Sequence, residues 1–187
     1  MNTLTRNRQW LIGGLLLIFM MLTRSDLLSH LQDASWAIFF LVGFYLRSYL
    51  GFPIFWIAAF AIDLFVIKGQ GGDNYCYTPA YPFLIPAYAS LWFAGHWFAK
   101  HYREDMRGAT YFIGAALVSI VVCFTVSNLG FYLFSNRLVD MNILQYSQTV
   151  AKYLPFYIQT TLLYLGIVAV IHLLISQVNK QNGYRHT

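Results

Sequence analysis

Charged residues are scarce in this chain: they make up 10% of it, whereas hydrophobic residues make up 58%. Soluble domains carry about 25% charged residues. A chain of 187 residues cannot enclose so much apolar surface in one core, but a lipid bilayer can surround apolar outer faces. The composition therefore predicts an integral membrane protein and argues against a soluble globular domain.

Cysteine is also rare, with only Cys76 and Cys123 in the whole chain, too few for a disulfide framework. No second cysteine or histidine lies at zinc-ligand spacing from Cys76, which excludes a metal site made of protein ligands alone. Phosphate-binding loops, Gly-x-Ser-x-Gly elbows and His-Glu-x-x-His motifs are absent as well. If the protein depends on ATP hydrolysis, another subunit must supply it.

The apolar run 10–22 lacks a cleavage site. Arg6 and Arg8 precede it as in a signal peptide, but residues 20–24 offer no small-residue cleavage sequence. We expect a retained first helix here.

Six apolar segments approach the length of about 20 residues that a membrane-spanning helix needs. They are residues 9–23, 34–50, 52–67, 82–99, 109–134 and 153–177. Gly51 separates the second from the third, and Pro53 suits the first turn of a helix. The sequence predicts an all-α integral membrane protein, a single transmembrane domain of six helices over residues 1–187.

Lysine and arginine indicate the orientation, since they are enriched in cytoplasmic loops. With the N-terminus inside, the inner segments hold eight of these residues and the outer segments hold four. The strongest cluster is segment 100–107. We therefore expect both termini in the cytoplasm and outer loops at about 24–33, 68–81 and 135–152.

The outer loop 68–81 holds a lone thiol, Cys76, between Tyr75 and Tyr77. A thiolate is a soft ligand, and a single one suits the axial position of a metal already held by a macrocycle. The alternative is an inert or partner-bound cysteine. The flanking tyrosines are candidates for walling a ligand cavity.

Asp63 and His30 are further candidates for the outer site. An ionisable group such as Asp63 inside a membrane helix indicates function by default. Its structural alternative is pairing with Lys68, but a separation of five residues is not helix-face spacing. His30 is the one histidine placed to meet an outer ligand. Polar residues in the outer halves of the last two helices fit a polar cavity, although each alone is more typical of helix packing: Ser127, Asn128, Gln159, Thr160 and Thr161.

Residues 63–82 resemble the BtuM family of cobalamin transporters, which are related to the S components of energy-coupling-factor transporters. The resemblance is carried by Asp63, Cys76 and the following Thr78-Pro79-Ala80-Tyr81. It implies an S-component-like bundle in the bacterial cytoplasmic membrane, with cobalamin as the transported ligand. It also implies that Cys76 is the axial ligand of the cobalt, with Asp63 and Tyr81 near the corrin.

This assignment leads to a chemical hypothesis, because cobalt in a corrin has only its axial positions open. Cys76 would bind the vitamin with its nucleotide base displaced and promote loss of an upper ligand such as cyanide. Two alternatives stay open. One is an S component for another vitamin, with Cys76 incidental. The other is a membrane thiol enzyme or redox protein with Cys76 as nucleophile, for which the outer loops offer only His30 as a base.

One feature departs from the S-component pattern. The first helix has Gly13-Gly14 where many S components carry an Ala-x-x-x-Ala surface for a transmembrane coupling subunit with ATPases. Small residues at this spacing occur instead at Gly95/Ala99 and Ala115/Ser119, where internal packing is an equal explanation. Such a coupling partner is therefore an expectation of the resemblance only.

Overall fold

The computed structural model describes residues 6–25, 27–28, 30–46, 48–69, 79–135 and 141–184. In these ranges the backbone forms seven α-helices, one 3-10 turn and no strand, which confirms the all-α class. The helices are α1 (Arg6–Arg24), α2 (Ser35–Tyr45), α3 (Gly51–Gly69), α4 (Leu84–His101), α5 (Met106–Phe134), α6 (Ile143–Ala151) and α7 (Leu154–Tyr184), with the 3-10 turn at Tyr81–Phe83.

Each of the six predicted apolar segments contains a helix, but α2 is shorter than expected and α6 was missed. Helix α2 has 11 residues, which cover about 16 Å at 1.5 Å per residue. Helix α6 lies inside the predicted outer loop 135–152, so the expectation of a loop without a helix there was wrong. Its nine residues are too few to register as a membrane span, and it begins where the Asn142 side chain accepts the Leu144 N–H at 3.1 Å.

Helix α2 lies at the centre of the bundle, with nine of its 11 residues buried. It packs mainly against α4, and the two backbones touch. A β-carbon at Gly43 would overlap the carbonyl oxygen of Trp92, and one at Gly95 would overlap that of Phe40. Gly95 and Ala99 are both buried, so this predicted pair of small residues serves internal packing.

The core has two parts that meet along α2. One part is formed by the five helices α1 through α5 and contains the fully buried side chains of Met20, Phe39 and Leu91. The other joins α2, α4, α5 and α7, and in it the rings of Phe44 and Phe98 stack at 5.3 Å. Helix α2 contributes to both parts because its apolar side chains point in all directions.

Contacts at the two ends of the bundle show that the long helices alternate in direction. At one end, here called the Arg24 end, the last residue of α1 contacts α3 and α4, and Phe83 stacks on Phe134 at 4.7 Å. At the opposite end, here called the Glu104 end, Ser176 of α7 donates to Glu104 at 2.8 Å. The predicted outer loops 24–33 and 68–81 therefore begin and end at the Arg24 end.

The outside of the bundle is strongly apolar. Two helical stretches are long enough to cross a membrane: α5, and residues Leu154–Val178 of α7. Their most apolar 18 residues have mean hydropathies of 2.2 and 2.1. Only 28% and 11% of those stretches are buried, unlike the core helix of a soluble protein. Helix α2 and residues Gly51–Ile67 are apolar but shorter. Exposed apolar surface on this scale indicates contact with a membrane or a partner.

Candidate functional site at the Arg24 end

Asp63 forms a two-point ion pair with Arg24. The Nε of Arg24 donates to Oδ1 of Asp63 at 2.6 Å, and Nη2 donates to Oδ2 at 2.7 Å. The side chain of Arg24 is only 9% exposed, and that of Asp63 is 20% exposed. Parallel hydrogen bonds between guanidinium and carboxylate are among the strongest polar contacts in proteins, so this pair fixes the end of α1 against α3.

The third nitrogen of Arg24, Nη1, connects the same side chain to two more elements. It lies 3.2 Å from Oδ2 of Asp33, 2.9 Å from the Ser35 hydroxyl and 3.2 Å from the Tyr88 hydroxyl. Ser35 begins α2, and Tyr88 lies in the second turn of α4. One arginine therefore holds together four helices. The Arg24 cluster consists of Arg24, its partners Asp33, Ser35, Asp63 and Tyr88, and Tyr81, which donates to Asp63.

Asp33 has a second role in front of α2, whose N-cap residue is Ala34. The Oδ1 of Asp33 accepts the backbone N–H of Ser35 at 2.9 Å and the Ser35 hydroxyl at 2.6 Å. Aspartate in this position satisfies N–H groups that the first turn of a helix leaves open. The Thr23 hydroxyl also accepts the Ala34 N–H at 3.4 Å, which ties the approach to α2 to the end of α1. The segment between α1 and α2 thereby places Asp33 against Arg24.

Tyr81 completes the cluster from the 3-10 turn. Its hydroxyl donates to Oδ2 of Asp63 at 2.8 Å, and its ring packs edge-on against Phe60 at 5.3 Å. Burial, with the Asp63 carboxylate adding to it, raises the pKa of Tyr81 well above its ordinary value. The phenol therefore stays protonated and donates to Asp63 throughout the physiological range. The structure thus brings together two of the predicted site residues, Asp63 and Tyr81.

The cluster is suited to hydrogen bonding rather than to metal binding. Arg24 contributes one positive charge and Asp33 and Asp63 contribute two negative charges, which leaves a net charge of −1. Asp33 is 44% exposed, so its carboxylate can accept a hydrogen bond from a molecule outside the bundle. Over the described ranges no group of three or more histidine, cysteine or acidic residues lies close enough to hold a metal ion.

The remaining predicted ligand contacts are not part of this cluster. Cys76, Tyr75 and Tyr77 lie outside the described residues. His30 is exposed in the turn between α1 and α2. Within the described residues, Arg24 makes no hydrogen bond to it. The partner of Asp63 is Arg24, whereas the side chain of Lys68 lies outside the described part of the chain.

Ser127 and Asn128 of α5, for which helix packing is the more typical role and a cavity the alternative, bond within α5 and to α6. Ser127 and the Nδ2 of Asn128 both donate to the Phe124 carbonyl, at 3.1 and 2.8 Å. The Oδ1 of Asn128 accepts from the Tyr146 hydroxyl at 3.1 Å and so holds α6 against α5. In α7, Thr161 is buried.

The role of Arg24 was not predicted from the sequence, where this residue counts only as a positive charge of an outer loop. The available signal was a single cation directly after an apolar helix, followed by Asp33 and Asp63 at matching ends of the next two helices. Opposite charges at the same depth of a bundle pair because neither can remain alone in an apolar environment. Ser35 and Tyr88 carry no such signal.

Protein-family models give no match to this chain, and comparison with curated proteins finds no relative.

Proposed function

We propose that this protein is a multi-pass protein of the bacterial cytoplasmic membrane that binds cobalamin at its outer face, as the substrate-binding subunit of a vitamin transporter. The membrane placement is supported by the exposed apolar side chains of its long helices. Leu163, Ile167 and Val170 on α7 are 50–60% exposed, and Trp10 and Leu15 on α1 are 72% and 59% exposed. In water such a surface would aggregate, whereas lipid covers it at no cost.

The chain would cross the bilayer six times, and the second crossing is the shortest, at the buried helix α2. Lys100 at the end of α4, Arg103 in the connection and Arg107 at the start of α5 favour the cytoplasm for the Glu104 end. The Arg24 end then faces outward. Both termini are on the cytoplasmic side in this arrangement.

The observation that carries the ligand proposal is the hydrogen bond between Tyr81 and Asp63. It fastens the residue that follows the Cys76 loop to a buried charged cluster at the outer end. Cys76 precedes Tyr81 by five residues in the sequence, and in this proposal its thiol meets the ligand at the Arg24 end. This combination favours a ligand that needs one soft axial donor and several hydrogen-bond acceptors.

Cobalamin meets both requirements. Its cobalt accepts one thiolate in an axial position, and the amides around the corrin donate hydrogen bonds that Asp33 and Asp63 could accept. In this proposal Cys76 displaces the nucleotide base from the cobalt and weakens the bond to the ligand on the opposite face. Tyr81 and Arg24 position Asp63, while Tyr75, Tyr77 and His30 are proposed to line the site. A coupling subunit with ATPases is proposed as the energy source, since no nucleotide-binding motif is present in this chain.

Purification from cells supplied with cobalamin tests the proposal. The wild-type protein should be red and show a corrin absorption spectrum altered by thiolate ligation, and Cys76→Ala should lose this spectrum and most of the bound corrin. Cys123→Ala is the matched control, because Cys123 is fully buried in α5 and should leave the spectrum unchanged.

An identical corrin spectrum in the wild type and in Cys76→Ala would contradict thiolate ligation. A colourless wild-type protein that carries a different vitamin would contradict the choice of cobalamin and support the alternative of an S component for that vitamin.

A further inference from the structure

The short helix α6 connects the end of α5 to the start of α7 at the Arg24 end of the bundle. All nine of its residues are described, and Tyr146 is the buried one among them. The Tyr146 hydroxyl donates to Asn128 of α5 at 3.1 Å, and its ring lies 5.3 Å from that of Tyr132. One side chain therefore fastens α6 to the side of α5, and nothing in the proposed cobalamin function uses the rest of this helix.

The attachment point sets the depth of α6 in a membrane. Helix α5 has 29 residues and is about 43 Å long, close to the thickness of a bilayer with its headgroups, of which the hydrocarbon occupies about 30 Å. Asn128 precedes the last residue of α5, Phe134, by a helical distance of about 9 Å. With α5 centred in the bilayer, Asn128 lies near the boundary between headgroups and acyl chains. Tyr146 then holds α6 at this boundary.

The exposed surface of α6 has an apolar side and a polar side. Ile143 and Leu144 are 50% and 62% exposed. At 3.6 residues per turn, Ile143 and Gln145 project about 200° apart. The exposed polar side chains share the side of the helix away from Ile143: Gln145, Gln148 and Thr149. Ser147 lies between the two apolar residues around the helix, and its hydroxyl donates to the Leu144 carbonyl at 2.9 Å, so it needs no water.

The apolar side of α6 continues into the outer surface of α7. Tyr153 and Phe156, which follow α6 in the chain, are 52% and 47% exposed. The Nζ of Lys152 lies 5.1 Å from the centre of the Tyr153 ring. Tyrosine and lysine are typical anchors at the membrane–water interface. The exposed apolar surface of α7 and the anchor at Tyr153 thus lead directly to α6.

A short helix with one apolar side, held at the level of the headgroups, matches an interfacial helix. We propose that α6 lies in the outer interface of the bilayer, with Ile143 and Leu144 among the upper acyl chains and the glutamines facing water. In this position it anchors the outer ends of α5 and α7 to the membrane surface. Helix α6 has no charged residue, so burial of apolar surface drives its insertion and anionic lipid is not required. The inference rests on the membrane placement proposed above but is independent of cobalamin.

Electron paramagnetic resonance of spin-labelled cysteines tests the position of α6 in the full chain. Phosphatidylcholine vesicles are suitable, Cys76→Ala removes one native thiol, and the fully buried Cys123 can remain. A label on Ile143→Cys should collide with oxygen, which concentrates in lipid, more often than with a water-soluble nickel chelate. Gln145→Cys is the matched control from the opposite side of the same helix. The ratio of oxygen to nickel collisions should be several times higher for Ile143→Cys than for Gln145→Cys.

Leu144→Cys gives a second probe of the apolar side if Ile143→Cys does not fold. Equal ratios on the two sides of α6 would overturn the inference. Shielding of Ile143 and Leu144 from both reagents would overturn it as well, because a protein surface, such as a second copy of the chain, would then cover them.

Leu163→Cys separates failure of this inference from failure of the membrane placement. Leu163 is 60% exposed on α7, and its label should collide mainly with oxygen. Mainly nickel collisions at Leu163 would contradict the membrane placement and this inference together. Lipid contact at Leu163 with water contact on both sides of α6 would contradict this inference alone. The corrin spectrum tests cobalamin binding separately.

Discussion

The guanidinium of Arg24 donates hydrogen bonds to both carboxylate oxygens of Asp63, at 2.6 and 2.7 Å, although the two residues are 39 positions apart in the chain. Arg24 lies in the last turn of α1, where the helix dipole favours a positive charge. The carboxylate of Asp63 has no such support from α3, because it lies nearer the C-terminal end of that helix. Asp63 therefore depends on Arg24 and Tyr81 for its stabilisation.

Removal of either partner of this pair should destabilise the protein. Arg24→Gln leaves the Asp63 carboxylate buried without a cation, which costs on the order of 3 kcal/mol in the free energy of unfolding. Asp63→Asn should cost less, because Arg24 keeps its ion pair with Asp33. Chemical unfolding in detergent measures this change. The double variant should cost less than the sum of the single variants, because it removes both charges together.

Arg103→Gln is the control for this experiment. It removes the ion pair Arg103–Asp105, which lies outside the Arg24 cluster and whose side chains are 56% and 42% exposed. Water screens an exposed pair, so the effect should be much smaller. Equal losses for Arg24→Gln and Arg103→Gln would contradict the assignment of Arg24 as the central residue of a buried cluster.

Tyr81→Phe removes a hydrogen bond to a charged acceptor and should cost about 2 kcal/mol. Tyr164→Phe, which loses a bond to the neutral carbonyl of Gln32, should cost about 1 kcal/mol or less. Unfolding of the two variants in parallel gives the comparison. A cost for Tyr164→Phe that equals or exceeds that for Tyr81→Phe would contradict the special role of Asp63 as acceptor.

The contribution of Tyr81 should also depend on pH. Its pKa is raised in the folded protein, so the folded state holds this proton more tightly than the unfolded state. The contribution is fully present below the ordinary tyrosine pKa of about 10 and falls as the pH rises above it. The difference in unfolding free energy between the wild type and Tyr81→Phe should therefore shrink above about pH 10. A difference in unfolding free energy that grows above this pH would contradict the raised pKa of Tyr81.

The contact between α2 and α4 should not tolerate a methyl group. Gly95→Ala would overlap the Phe40 carbonyl and force two backbones apart, a cost of about 2 kcal/mol or more. Gly114→Ala is the matched control, since nothing lies within 4 Å of a β-carbon there. That substitution should stabilise α5 by about 0.5–1 kcal/mol, because alanine favours a helix. If Gly95→Ala and Gly114→Ala changed the melting temperature in the same direction, the close contact between α2 and α4 would be contradicted.

The proposed orientation has a direct test by cysteine labelling of intact cells. In a background without native cysteines, His30→Cys should react with a membrane-impermeant maleimide from outside, because His30 is exposed beyond the end of α1. Met106→Cys, at a position 83% exposed at the Glu104 end, should react only after permeabilisation. The reverse pattern would invert the topology and remove the cobalamin proposal with it.

The positions of the helices follow from the sequence, whereas the partners of the polar residues do not. Apolar runs bounded by Gly51 or by the charged segment 100–107 mark helices directly, because hydrophobicity is local information. Helix α6 was not predicted from hydrophobicity, because it depends on the Asn142 cap and on the hydrogen bond from Tyr146 to Asn128 in another helix. Short helices held by distant contacts leave little trace in hydropathy.

Asp63 illustrates the same limit within the site. Its depth in an apolar helix indicates a special role, and the family resemblance implies that it and Tyr81 both lie near the corrin. Its ion-pair partner lies in α1, and spacing along one helix cannot reveal a bond between two helices. Arg24, Ser35 and Tyr88 converge only because α2 and α4 cross so closely at Gly43 and Gly95.

The shortness of α2 has a consequence for the helices around it. Its 11 residues begin at Ser35, inside the Arg24 cluster, and span about 16 Å. A bilayer has a hydrocarbon core about 30 Å thick. In a membrane, the central helix would therefore extend through only about half of the hydrocarbon thickness, and the longer helices around it would have to shield the rest of its path.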